Sequence, residues 1–169
     1  MQTQLWISGQ AKTRELAAYH FIPVTNQKQA LRPKPHGGLW TTDWDEENQS
    51  SPWIRFCIDE QFANIYQTTW WLLKPDPKAR IYVINDLTDL NNIVRRFHIK
   101  GYGQEIQIDF EKAAKHYDGI FLTEQGQQKT KNTIPNLKGW DFACTLWFHW
   151  KFNAIHKIFD PMNQFQIEL

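Results

Sequence analysis

The apolar residues of this chain come in short runs, each closed by proline, glycine or a polar cluster, and that pattern limits what it can fold into. The run Leu16–Val24 closes around Pro23, and Gly38–Thr42 leaves a Gly37-Gly38 turn. Thr68–Leu73 and Arg80–Ile84 are separated by Pro75 and Pro77. Gly119–Thr123 is a compact run, and Phe142–Lys157 carries aromatic residues at alternate positions. Such runs predict strands, with an antiparallel pairing expected between Thr68–Leu73 and Arg80–Ile84. None approaches the roughly 20 apolar residues that span a bilayer as a helix.

Three segments have helical spacing instead. Ser51 is an N-cap with Pro52 behind it, followed by Ile54, Ile58, Phe62 and Ile65 on one face. Asp86 caps a second helix whose stripe is Leu87, Leu90, Val94 and Phe97. Asp109 caps a short third, with Phe110, Ala113, Ala114 and Tyr117 together. Residues 1–12 read as a polar lead-in, residues 98–108 as irregular around Gly101 and Gly103, and residues 124–139 as a polar, mobile loop. Strands outnumber a βαβ alternation. The expectation is a single α+β domain over residues 1–169, with a largely antiparallel sheet and three or so helices.

Composition narrows the partners. A net charge of +1 supplies no basic field to drive non-specific nucleic-acid binding. An RNA-binding role through exposed Trp with Lys129, Lys131 and Lys138 is therefore the weakest of the functional expectations. Cys57 and Cys144 form no CxxC pair and fit no zinc-ribbon spacing, so reduced thiols and no metal are expected. The first residues lack the basic and apolar regions of a signal peptide. A cytoplasmic protein without a membrane partner is the expectation. Aromatic residues make up 15% of the chain, enough to line a cleft as well as a core.

No Walker, Rossmann, HExxH or GxSxG motif is present. The segment with most site character is Lys34-Pro-His-Gly-Gly-Leu-Trp-Thr-Thr-Asp43. Gly37 and Gly38 permit positive φ or a close backbone approach to a ligand. Trp40 offers a flat face for a base or nicotinamide ring, and Thr41 and Thr42 offer hydroxyls. The same residues would equally suit a Gly-Gly turn into an edge strand with Trp40 in the core. His20 and its neighbour Tyr19 would point to opposite faces of a regular first strand, so only one could face a cleft. Asp118, Glu124 and Asp141 are the carboxylates at strand ends, where a general base or a charge stabiliser commonly sits. Asp118 also suits a cap, and Glu124 a solvated loop acid.

The motifs Lys-Pro-His-Gly-Gly-Leu-Trp-Thr-Thr, Tyr117-Asp-Gly-Ile120 and Gly139-Trp-Asp-Phe-Ala-Cys-Thr-Leu-Trp-Phe148, with Trp53 in the helix between, look like those of small phage and bacterial proteins. The order of elements resembles the ADP-ribosyltransferase superfamily over residues 15–160. The resemblance implies a split β-sandwich and NAD as substrate. It implies that His20 or Tyr19 holds the NAD ribose and amide, and that Trp40, Thr41 and Thr42 support the nicotinamide ribose, with His36, Gly38 and Trp53 nearby. A late glutamate is the family's charge stabiliser; Ala143 stands where it is expected, leaving Asp141 as substitute and Glu124 behind it. A macromolecular acceptor, a role as toxin or phage–host conflict factor, and a cognate antitoxin or inhibitor complete what the resemblance implies. A catalytically degenerate binding module of the same fold is the alternative.

Overall fold

The computed structural model describes residues 1–7, 16–27, 34–61, 68–100 and 106–159. Strand β1 (Gln4–Ile7) comes first, in the segment expected to be a polar lead-in. Gln4 made it look so, yet Gln4 is wholly buried and its amide is satisfied by side chains of the neighbouring strand. The segment expected as the first strand is instead a 3-10 turn, Ala18–His20, within extended chain. Thr25, just beyond its end, forms an isolated bridge with His36. Pro23 has no N–H to give a ladder, and Tyr19, His20 and Ile22 are exposed rather than pleated into a core.

Strand β2 (Leu39–Asp43) follows the Gly-Gly turn as expected. Helix α1 (Pro52–Asp59) begins where Ser51 accepts a hydrogen bond from the Ile54 N–H at 3.2 Å. Its buried face is centred on Ile54 and Cys57. Ile58, one position further round, is turned out and 57% exposed, against expectation. Phe62 and Ile65 lie outside the described residues.

Strands β3 (Trp70–Pro75) and β4 (Ile81–Ile84) form where the β-rich runs predicted them, but they do not pair. After β4 come α2 (Leu87–Arg96), β5 (His98–Lys100), β6 (Ile106–Ile108), α3 (Phe110–Ala113) and β7 (Gly119–Leu122). Asp86 and Asp109 cap α2 and α3 as read from the sequence. β5 and β6 pair antiparallel, so much of the stretch expected to be irregular is a small ribbon. Helix α4 (Glu124–Thr130) occupies the start of the expected loop, capped by Thr123, whose hydroxyl accepts from the Gly126 N–H at 3.0 Å. Strands β8 (Cys144–Trp147) and β9 (Phe152–Phe159) complete the chain. Four α-helices are thus present among the described residues, one more than the sequence suggested.

The main sheet has the order β4-β7-β8-β2-β1-β3-β9. Only β4–β7 is parallel, and the connection between them carries α2, the ribbon and α3. The architecture is one α+β unit on a largely antiparallel sheet. Side chains alternate between its faces. On one face Ile84, Ile120, Leu122 and Leu146 pack on Leu90, Ile93 and Val94 of α2. Further along that face Leu5 and Trp70 pack on Ile54 and Cys57 of α1. The opposite face buries Trp71, Leu73 and Trp147 under Leu16 and Phe152. No helix among the described residues is long and apolar enough to cross a membrane.

The centre of the sheet is its least continuous part. β1 pairs with β3 through four residues, but with β2 only at Gln4–Asp43 and Leu5–Thr42. Beyond Leu5 the two strands diverge. Trp6 and Ile7 leave Thr41 and Trp40, which remain paired to β8. Side chains reinforce the short seam. Thr41 Oγ1 donates to Gln4 Oε1 at 2.7 Å, and Gln4 Nε2 donates to Asp43 Oδ1.

Candidate functional site

A cleft of about 870 Å³ opens where β1 and β2 diverge. Its walls come from β1, the 3-10 turn, residues 34–42, α1, and the residues just before β8. His20, His36, Gly38, Trp40, Thr41, Thr42, Trp53 and Asp141 all line it. Tyr19 and Glu124 do not.

The Gly37-Gly38 turn sets the rim. Both glycines have positive φ, +73° and +70°. A Cβ on Gly37 would lie 2.3 Å from the Pro23 carbonyl oxygen, and one on Gly38 would lie 2.8 Å from the Trp147 carbonyl oxygen. The close approach that the glycines permit is therefore to the protein's own backbone. It allows the Gly38 N–H to donate to Ile22 O at 2.7 Å, while Thr25 and His36 exchange two backbone hydrogen bonds of 2.9 Å. This fastening holds His20 and His36 at the same mouth.

Trp40 is half-buried. Its ring meets the Trp140 ring edge-on, with centroids 4.6 Å apart, and the Lys34 ammonium lies 5.3 Å from its centroid. Lys34, which the sequence placed in the site segment without a role, is the cation closest to this aromatic face among the described lining residues. Across the cleft Trp53, Phe56 and Phe142 form a second aromatic wall, with Trp53 and Phe142 4.9 Å apart and Phe56 and Phe142 5.3 Å apart. Trp53 was expected near the site; the sequence signal for Phe56 and Phe142 beside it was only aromatic abundance. Nothing local joins helix α1 to the residues before β8.

The two threonines differ. Thr41 is buried and its hydroxyl is used twice, donating to Gln4 and accepting from Trp147 Nε1 at 2.8 Å. Thr42 is 3% exposed and its enclosed Oγ1 has no hydrogen-bond partner among the described residues. A buried unpaired hydroxyl costs about 1–3 kcal/mol.

Among the described residues Asp141 is the one carboxylate that lines the cleft. It was expected on the last strand, on the same face as Ala143, but β8 begins at Cys144. Asp141 instead stands at the exposed rim, with its backbone carbonyl accepting from Gln127 Nε2 at 3.3 Å. Glu124 is the first residue of α4, where a negative charge suits the helix dipole. It lines a separate hollow of about 570 Å³ with Asp43, Arg55 and Ala143. Neither Glu124 nor the Ala143 position opens into the cleft that His20 and Asp141 share.

Asp118 is an architectural acid. Its carboxylate accepts from the Arg80 backbone N–H at 2.8 Å and faces His149 Nδ1 at 3.3 Å and Lys151 Nζ at 3.8 Å. Burial works to raise its pKa, but the Arg80 N–H groups and the Lys151 charge outweigh it and hold the carboxyl below its ordinary value. Burial pushes the Cys144 thiol up to about 12, which leaves no thiolate for chemistry. Among the described residues no group of three or more His, Cys, Asp or Glu side chains is placed to hold a metal ion. Comparison with family models, curated proteins and solved structures finds no match to this chain.

Proposed function

We propose that the cleft binds NAD, and that the chain is an ADP-ribosyltransferase-like protein. The observation that carries the reading is that three distant stretches contribute to one aromatic cleft: His20 from the first, Trp40 and Thr42 from the second, Asp141 from the third. The cleft volume lies in the upper part of the range for small-molecule sites, suiting a dinucleotide. Lys34 and the two histidines suit phosphates, and the tryptophans suit planar rings.

In transfer, the bond between ribose C1 and the nicotinamide nitrogen breaks, and its electrons leave with nicotinamide. Positive charge develops on the sugar. An acceptor nucleophile then bonds C1 and gives up its proton. Asp141 is the carboxylate among the described lining residues, able to stabilise that charge and take that proton. The acceptor would be a macromolecule, and a toxin or conflict role with a cognate inhibitor follows from the resemblance alone.

A second reading, NAD binding without turnover, is favoured by the exposed position of Asp141 at the rim. Calorimetry with NAD tests the shared premise, and nicotinamide release separates the two. Release that disappears in Asp141→Ala supports transfer or hydrolysis. Binding with no release supports the second reading. Absence of NAD binding would sink both.

A further inference from the structure

We propose that the hollow at the C-terminal end of α2 is a second ligand site, taking the phosphate and base of a nucleotide unit, whether a free nucleotide or part of a nucleic-acid strand. The hollow measures about 460 Å³ and is lined by Tyr82, Asn92, Arg95, Arg96, Phe97 and Tyr117. It shares no lining residue with the cleft.

Its two guanidinium groups are fixed but not neutralised. Arg96 lies 4.9 Å from the Phe97 ring centroid and 6.0 Å from that of Tyr117, and its Nη1 donates to the Tyr117 hydroxyl at 3.3 Å. Arg95 Nη2 donates to Asn92 Oδ1 at 3.2 Å. Both anchors are neutral acceptors, and neither arginine forms an ion pair among the described residues. The acid of α2 nearest in sequence, Asp89, turns its carboxylate to the Asn85 N–H at the other end of the helix. A guanidinium carries five donors, so most of each fork remains available. The negative pole of α2 suits positive charge in its last turn, but that attraction does not occupy the forks.

Two adjacent planar forks suit the oxygens of a phosphate. The Tyr82 and Tyr117 rings, 5.2 Å apart and edge-to-face, give a planar group a wall to rest on. Tyr82 stays a neutral phenol. Burial first, then the charges of Asp89 and Tyr117, push its pKa up, and its hydroxyl donates to Asp89 O at 2.7 Å. The phenol therefore adds no negative charge of its own to that wall. With a net charge of only +1 over the whole chain, the attraction is local to this pair.

The test uses the full chain with two probes, AMP and a short fluorescein-labelled single-stranded oligothymidylate. Binding is followed by calorimetry and anisotropy at several salt concentrations. Arg95→Gln/Arg96→Gln is expected to weaken binding of at least one probe about tenfold or more. For the oligonucleotide the slope of log affinity against log salt should shrink by about 0.7 for each lost phosphate contact. Trp40→Ala, in the other cavity, should not abolish this binding. Arginine-dependent oligonucleotide binding identifies a strand as the source, and arginine-dependent AMP binding alone identifies the free nucleotide. Arg96→Lys keeps the charge and loses the fork, so it should bind measurably less tightly than the native chain. The proposal is overturned if neither probe binds, or if the double substitution leaves both affinities unchanged. Because both arginines are exposed, their loss should leave the melting temperature and NAD binding in the cleft as they were.

Discussion

Gln4 and Asp43 are hydrogen bonded across a seam at which their strands share only two residue pairs. The Gln4 side chain also accepts from Thr41, so one amide serves two positions of the neighbouring strand. Gln4→Leu would keep the volume and strand both groups. A loss of about 2–4 kcal/mol is expected, read as a lower urea midpoint with an unchanged slope. A midpoint equal to that of the native chain would show that the seam does not depend on this amide.

Asp118 and Asp43 make opposite contributions to acid stability. The Asp118 pKa is lowered on folding, so its stabilisation is full above the ordinary carboxylate value of 3.8 and fades as pH falls through its lower folded value. Asp43 is raised, chiefly by burial, so its ionisation costs stability as pH rises through its folded value, with Gln4 and the N-terminal amine offsetting part of the cost. Asp118→Asn should destabilise by about 1–2 kcal/mol at pH 7, since the cations around it are partly solvated, and by much less near pH 3. Urea titrations at the two pH values make the comparison; a loss that stays equal at both contradicts it.

The Gly37-Gly38 turn should tolerate no side chain. Gly37→Ala places a Cβ against the Pro23 carbonyl, which cannot move as a side-chain end can, and does so at positive φ. A loss of about 2 kcal/mol or more is expected, with Gly38→Ala less severe because Leu146 Cδ1, one of its clashing atoms, can rotate away. Thermal melts of the two variants give the ranking.

Thr42→Val separates stability from binding. Removing a buried hydroxyl that has no partner should leave the free protein as stable or more so by about 1 kcal/mol. NAD affinity should be unchanged, because the enclosed Oγ1 does not face the cleft. If stability falls, the hydroxyl has a partner within the protein.

Substitutions at the cleft should follow its lining rather than the chain's order. Trp40→Ala and His20→Ala are expected to weaken NAD binding, the former by about 1–3 kcal/mol if a ring stacks there. Tyr19→Ala and Glu124→Gln, whose side chains lie outside the cleft, should bind NAD as the native chain does. Titration calorimetry on the four variants decides whether this cavity is the site.

How much of this was legible beforehand depended on whether the determining contact was local. The caps at Ser51, Asp86 and Asp109 are made within three residues, so the starts of α1, α2 and α3 could be read directly. Helix α4 was hidden by its polar sequence and by Gly126, which the fold requires because a Cβ there would meet Ile84 O at 2.1 Å. Strand β1 was hidden because its buried glutamine finds its partners some forty residues later. The parallel β4–β7 pairing and the Trp53–Phe142 wall are likewise decided by contacts between distant segments. The Lys34–Thr42 segment and Asp141 stood out by composition and do border one cleft. The engagement of Thr41 depended on Gln4 and Trp147, both distant in sequence.

The two-pair seam gives the sheet a mechanical character. A molecule in the cleft would touch β1 on one side and β2 on the other, bridging the line along which the two halves are most weakly joined. Occupancy and resistance to parting are then one thermodynamic quantity. Each factor of ten in ligand concentration above its dissociation constant adds about 1.4 kcal/mol against opening. The protein would act as a clasp, closed in proportion to what it holds.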